Sequence, residues 1–114
     1  MSNEKKYRKV EFHKNYFEEF FVSQNQKVKD KIIWTLELIE DVEIIPAKYL
    51  KNVDGKLYEI RVKVGSDIFR IFSFFDSGKL IILANGFQKK SNKLPKSEIR
   101  KAKKIMQEYF DSKN

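Results

Sequence analysis

The chain of 114 residues contains no cysteine, so disulfides, thiolate metal ligation and thiol chemistry are all excluded, as suits a reducing compartment. One histidine, His13, and carboxylates that do not cluster leave no metal site legible in the sequence, and no cofactor is expected. Glycine is scarce, at four residues. There is no glycine-rich loop to cradle a nucleotide phosphate and no Ser-His-Asp spacing for acyl transfer. No apolar run approaches a membrane span, and the opening MSNEKKYRKVEF has no stretch of signal-peptide length. A cytoplasmic protein with no membrane partner is the expectation. The length suits one core, hence a single domain over 1–114.

What the chain does have is positive charge, unevenly placed. The net charge is +8, and residues 1–55 hold ten basic and ten acidic side chains whereas residues 56–114 hold fourteen and six. The densest stretch, residues 84–104, carries Lys89, Lys90, Lys93, Lys96, Arg100, Lys101, Lys103 and Lys104 against one acid, Glu98. A phosphate-binding face looks like this in sequence, because Lys and Arg gain affinity by displacing counterions from a polyanion. An acidic protein partner, or solubility alone, would use the same charges.

Periodicity divides the chain into elements. Tyr7–Phe12 alternates as a strand, and Phe12, Tyr16, Phe17, Phe20 and Phe21 then form an aromatic stripe on a short helix. Ser23 and Gln26 have capping-box spacing for a second helix with Val28, Ile32, Ile33, Leu36 and Ile39 on one face, ending near Val42 before Pro46. PAKYLKNVDGK reads as an irregular crossing with a turn at Asp54-Gly55. Three strands follow at 57–64, 67–76 and 79–88, joined by spacers short enough to force antiparallel hairpins. A last helix runs from about Pro95 to Phe110, burying Ile99, Ala102, Ile105 or Met106, and Tyr109 or Phe110. The order is β-α-α-β-β-β-α, an α+β domain whose mainly antiparallel four-stranded sheet packs helices on one face, two N-terminal helices first among them. Trp34 and the phenylalanines are assigned to the core, and His13 to the surface or a cap.

Register turns composition into chemistry. A two-residue Gly65-Ser66 loop of type II′ sets Val64 opposite Asp67 and therefore Arg61 opposite Arg70. Opposed residues share a side of the sheet, and two guanidinium groups there repel unless an anion lies between them. A phosphate would serve, although Arg61 has Glu59 or another acid as an alternative partner. In the next hairpin Arg70 falls opposite Asn85 or, with a bulge, Ala84. Either way the third of these strands delivers Phe87, Lys89 and Lys90 to the rim of that face. The last helix adds Lys96, Arg100 and Lys103 at i, i+4 and i+7. Arg61, Arg70, Lys89 and Lys90 are the candidate catalytic residues; Lys63, Phe87, Lys93, Lys96, Arg100 and Lys103 are candidate contacts to a nucleic acid. Against this, Lys89 and Lys90 also suit a solvated strand end, Phe87 a core ring, and the helix lysines a solubilising face.

The segments YEIRV, FRIFSF, the strand leading into GFQKK, and KLPKSEIRKAKK opening the last helix resemble the toxin half of bacterial type II toxin–antitoxin systems, in the RelE/ParE superfamily and its phage-derived HigB-like branch. The resemblance implies a metal-independent endoribonuclease that cuts messenger RNA in the ribosomal A site. It also implies a HigA-like antitoxin with a helix-turn-helix DNA-binding domain. Carried over by motif, Arg61 and Arg70 hold the scissile phosphate while Lys89 and Lys90 supply charge beside it. The ribose 2′-OH then attacks phosphorus to leave a 2′,3′-cyclic phosphate. No histidine lies in the second half to act as base, and Tyr109 is a core candidate first, which leaves a lysine or ribosomal RNA for that role. The same fold also serves ParE-like inhibitors of DNA gyrase, and a non-catalytic basic binding module is the third reading.

Overall fold

From Leu50 to Lys89 the chain is a succession of antiparallel hairpins, and every helix packs on the sheet they build. The computed structural model describes residues 6–113, so residues 1–5 and 114 of the expected domain lie outside the described residues. The elements are β1 (Lys9–Phe12), α1 (Tyr16–Val22), α2 (Gln26–Asp41), β2 (Leu50–Asp54), β3 (Leu57–Val64), β4 (Asp67–Ser77), β5 (Leu80–Lys89) and α3 (Lys96–Ser112). They form one α+β domain with a five-stranded sheet ordered β1-β5-β4-β3-β2, in which only β1 and β5 run parallel.

Two expectations are corrected here. The stretch assigned to an irregular crossing contains β2, hairpinned onto β3 from Leu50↔Ile60 to Asp54↔Leu57, so the sheet has five strands rather than four. A register shift between Asn52 and Asp54 interrupts the alternation, which is why a short polar edge strand escaped the pattern. The sheet is also covered on both faces. Phe17, Phe20, Val28, Ile32 and Ile39 of α1 and α2 pack on Ile60, Val62, Phe69, Ile71, Ile81 and Leu83. The opposite face buries Leu57, Phe72, Phe74, Ile82, Ala84 and Phe87 beneath Ala102 and Ile105 of α3. The central strands are therefore apolar on both sides, as doubly covered strands must be. Each fully buried ring, such as Phe72 or Phe74, contributes about 1.5–3 kcal/mol.

Local chemistry fixes the ends. Asn25, not Ser23, caps α2, with its Oδ1 accepting from Val28 N at 3.0 Å. Ser23 instead closes α1, donating its hydroxyl to Phe20 O. Arg8 donates to the carbonyls of Ile39, Val42 and Glu43, satisfying the end of α2 and tying β1 to it. Gly86 is required by close approach: a Cβ there would lie 2.4 Å from the Phe20 ring.

Three side chains depart from their assigned places, the first being Phe12, which was assigned to the core with the other phenylalanines but is 58% exposed at the end of β1. Trp34 is 44% exposed, because α2 buries the Val28, Ile32, Thr35 and Ile39 stripe and Trp34 falls beside it. His13 is nearly buried, its ring edge-on to Tyr109 at 5.4 Å and its Nε2 3.5 Å from a Glu108 oxygen. Around it, Lys14 and Tyr16 donate to Glu108, while Tyr109 and Lys113 donate to Asp76. These contacts clasp the C-terminal half of α3 to the start of α1 and the end of β4. Among the described residues no helix is long and apolar enough to cross a membrane.

Candidate functional site

Gly65 has φ +61°, while Ser66 is not left-handed, the combination a type II′ turn requires. The turn fixes Val64↔Asp67, and counting back along both strands gives Val62↔Phe69 and Arg61↔Arg70, as expected. Arg61 N is directed away from β4 and donates to Tyr49 O at 2.9 Å. The two arginines are thus a non-hydrogen-bonded pair, the closer kind, with Cα atoms about 4.5 Å apart in such ladders. They point to the face that α3 partly covers.

Between them the structure places an anion from the chain itself. Glu59, two residues before Arg61 and therefore on the same face, is 6% exposed. Its Oε2 lies 3.3 Å from Arg61 Nε and 3.5 Å from Arg70 Nε. One carboxylate shared by two guanidinium groups removes part of the repulsion and leaves a net positive charge. The carboxylate meets each arginine at Nε, the inner nitrogen of the fork. Among the described residues, the terminal amino groups of Arg61 have no hydrogen-bond partner.

The two arginines are not equivalent. Arg70 is 5% exposed and donates Nη1 to Phe69 O at 3.1 Å. Burial pushes its pKa down, Glu59 opposes that and Arg61 reinforces it. The Arg61 side chain is 33% exposed, and it is the one an incoming anion meets first.

The neighbouring register differs from both expected alternatives. The β4–β5 loop is Gly78-Lys79, closed by Ser77↔Leu80, and two register shifts bring Arg70 opposite Phe87 rather than Asn85 or Ala84. A bulge adds residues that side-chain alternation cannot count. The resulting face has a row of Arg61, Arg70 and Phe87 and, one pleat step toward the Gly65 turn, a row of Lys63, Ile68 and Lys89. Successive rows on one face are about 6.8 Å apart. Lys63 and Lys89 thus flank the arginine pair. Phe87 is buried against Phe72 at 5.2 Å and belongs to the core.

The remaining candidates lie further out. Lys90 and Lys93 are exposed just beyond β5, and Lys96 and Arg100 on the first turns of α3. Lys103 is ion-paired with Asp54 of β2, so its charge is already engaged. Sequence reasoning missed Lys31 of α2 together with Lys48 and Tyr49 before β2. With Arg61, Lys63 and Arg70 they line a groove of about 620 Å³ at the edge of β3. Only the unrecognised β2 could have brought Lys48 and Tyr49 there.

An α+β fold with a five-stranded sheet and a basic cluster at a hairpin defines a small cationic module. The family model of phage-derived Gp49-like proteins matches residues 19–107, and the chain belongs to that family. The family is associated with RelE-like toxins of toxin–antitoxin systems, which places an antitoxin among the partners it suggests. No curated protein matches the chain.

Proposed function

We propose that the protein is a HigB-like toxin of a type II system and a metal-independent endoribonuclease that cuts messenger RNA on the ribosome. The observation that carries this reading is the shared geometry of Arg61, Arg70 and Glu59. A buried carboxylate holds two arginines side by side at their inner nitrogens and leaves the outer one's paired amino groups free for a phosphate's two oxygens.

The chemistry follows. The ribose 2′-OH attacks the adjacent phosphorus and the P–O5′ bond breaks, giving a 2′,3′-cyclic phosphate and a 5′-hydroxyl. The 2′-oxygen loses a proton and O5′ gains one. Charge builds on the non-bridging oxygens, where a pre-placed guanidinium stabilises it without reorganisation. Arg61 makes that contact, and Arg70 fixes its position and adds field from beneath. Lys63 and Lys89 extend the positive potential along the strand, and Lys90, Lys93, Lys96 and Arg100 contact the RNA backbone beyond. The β3, β4 and β5 rows beside the arginine pair hold no histidine or tyrosine, but Tyr49 lines the groove beside Arg61. Proton transfer falls to Tyr49, to a lysine such as Lys89 or to ribosomal RNA. A HigA-like antitoxin with a helix-turn-helix domain neutralises the protein by covering this face or displacing an element beside it.

The test is cleavage of a short messenger bound in the A site of purified ribosomes. Wild type should release a fragment ending in a cyclic phosphate, and Arg61→Ala should slow the reaction by about a hundredfold or more. Glu59 itself favours a second reading, in which the triad is a self-neutralised structural element of a non-catalytic binding module. Intact messenger after incubation with folded wild-type protein would establish that reading instead.

A further inference from the structure

We infer that the groove continues past the arginine pair, over the edge of β3, to a base-stacking platform formed by Trp34 and Tyr49, and that its occupant is single-stranded RNA. This rests on the proposed ribonuclease reading and deepens it by assigning the path of the strand away from the scissile phosphate.

On the outer flank of α2, Lys27, Lys31 and Trp34 stand at i, i+4 and i+7 and so form one stripe. They line a second depression with Lys63 and Val64, and Lys31 and Lys63 also line the arginine groove. The two are therefore one surface. Among the described residues, Asp30 is the only acid lining either depression. Trp34, the single tryptophan of the chain, is one of the few large apolar side chains left substantially in water. Its ring meets that of Tyr49 edge-on, with centroids 5.8 Å apart. Lys31 Nζ lies 4.5 Å from the Trp34 ring centre and Lys48 Nζ 5.5 Å from that of Tyr49.

Rings and ammonium groups set side by side match the alternation of bases and phosphates in an unpaired strand, where stacking and backbone neutralisation act together. Each lysine now held over a ring has a phosphate to move to when a base takes its place. An acidic peptide would satisfy the lysines but leave the two rings without partners. Tyr49 also joins platform and site mechanically, because its carbonyl accepts from Arg61 N.

The uniqueness of Trp34 makes the test direct. A short fluorophore-labelled oligouridylate is titrated with the full-length protein while label anisotropy and tryptophan emission are recorded together. The expected result is quenching that saturates with the anisotropy change. Trp34→Ala should bind roughly tenfold more weakly, Trp34→Phe nearly as wild type, and Lys31→Ala more weakly with a reduced salt dependence. Circular dichroism checks that each variant is folded. If anisotropy rises and falls away in Arg61→Ala, yet tryptophan emission stays constant and Trp34→Ala binds normally, the platform is overturned while the RNA reading stands. If oligoglutamate quenches Trp34 at lower concentration than RNA, a peptide site replaces it. Absence of any anisotropy change overturns the platform, while cleavage in the ribosomal A site still decides the ribonuclease reading.

Discussion

The two faces of the sheet start from the same strand alternation and end differently. On the face under α1 and α2, apolar residues continue to the β3–β4 hairpin, with Val62 opposite Phe69 only two residues from the Gly65-Ser66 turn. On the face under α3 the apolar cluster of Leu57, Phe72 and Phe74 stops at Glu59 and Arg70, and beyond them come Arg61, Lys63 and Lys89. One face holds the domain together over its full length. The other does so for half its length and spends the rest on charge. The boundary is a triad of charges, Glu59 and Arg70 buried and Arg61 partly exposed, and the desolvation of the buried pair can exceed its mutual attraction. Such a cost is understandable where the outer arginine must be held still for a ligand.

Substitutions sharpen that contrast, and the largest stability effects belong to the apolar half. Phe72→Ala should cost about 3–5 kcal/mol, seen as a much lower denaturation midpoint. Arg70→Ala should come next at roughly 3 kcal/mol, since it strips a buried partner from Glu59. Gly86→Ala on the sealed face should cost about 1–3 kcal/mol, because the new methyl must displace the Phe20 ring. Arg61→Ala should change stability by about 1 kcal/mol or less, yet lose nearly all cleavage. If Arg61→Ala destabilised as much as Arg70→Ala, the division between an outer, ligand-facing arginine and an inner supporting one would collapse.

The smallest effect is at the clasp of α3. The Asp76 carboxyl is held below its ordinary pKa, chiefly by the Lys113 hydrogen bond and then by Tyr109, and Glu108 likewise by Lys14 and then Tyr16. Depressed folded-state values mean that this stability is complete above the ordinary carboxylate range and is lost as pH falls through the lower folded values. The Tyr109 phenol runs the other way, pushed up to about 12 by burial and then by Asp76. Its contribution is complete below pH 10.0, its ordinary value, and disappears as pH rises through about 12. In thermal melts the wild-type advantage over Tyr109→Phe should be flat between these limits and shrink beyond both. A constant difference across the acid limb would show that the tyrosine hydroxyl does not act through Asp76.

Much of this was legible in the sequence wherever a turn left one residue count possible. Gly65 in first place suits the left-handed position of a two-residue type II′ turn, so the arginine pairing followed by counting. The β4–β5 register was hidden because its two shifts add residues without changing the hydrophobic pattern. β2 was hidden because its own register shift breaks the alternation of a short polar strand, and with it went Lys48, Tyr49 and the groove they line. The role of Glu59 was half visible: parity put it beside Arg61, but only folding shows that one carboxylate reaches both arginines. Trp34 was misassigned because an aromatic residue on an amphipathic helix is ordinarily core, and its displacement from the buried stripe by a single position decides otherwise.

The most direct test of the arginine pair as a nuclease centre is mapping of transcript ends after induction of the wild-type chain, compared with folded Arg61→Ala. The expected result is new ends within translated frames, carrying cyclic phosphate and 5′-hydroxyl termini, that vanish in the variant. Equal cutting by Arg61→Ala, or arrested growth with intact transcripts and damaged DNA, would contradict it.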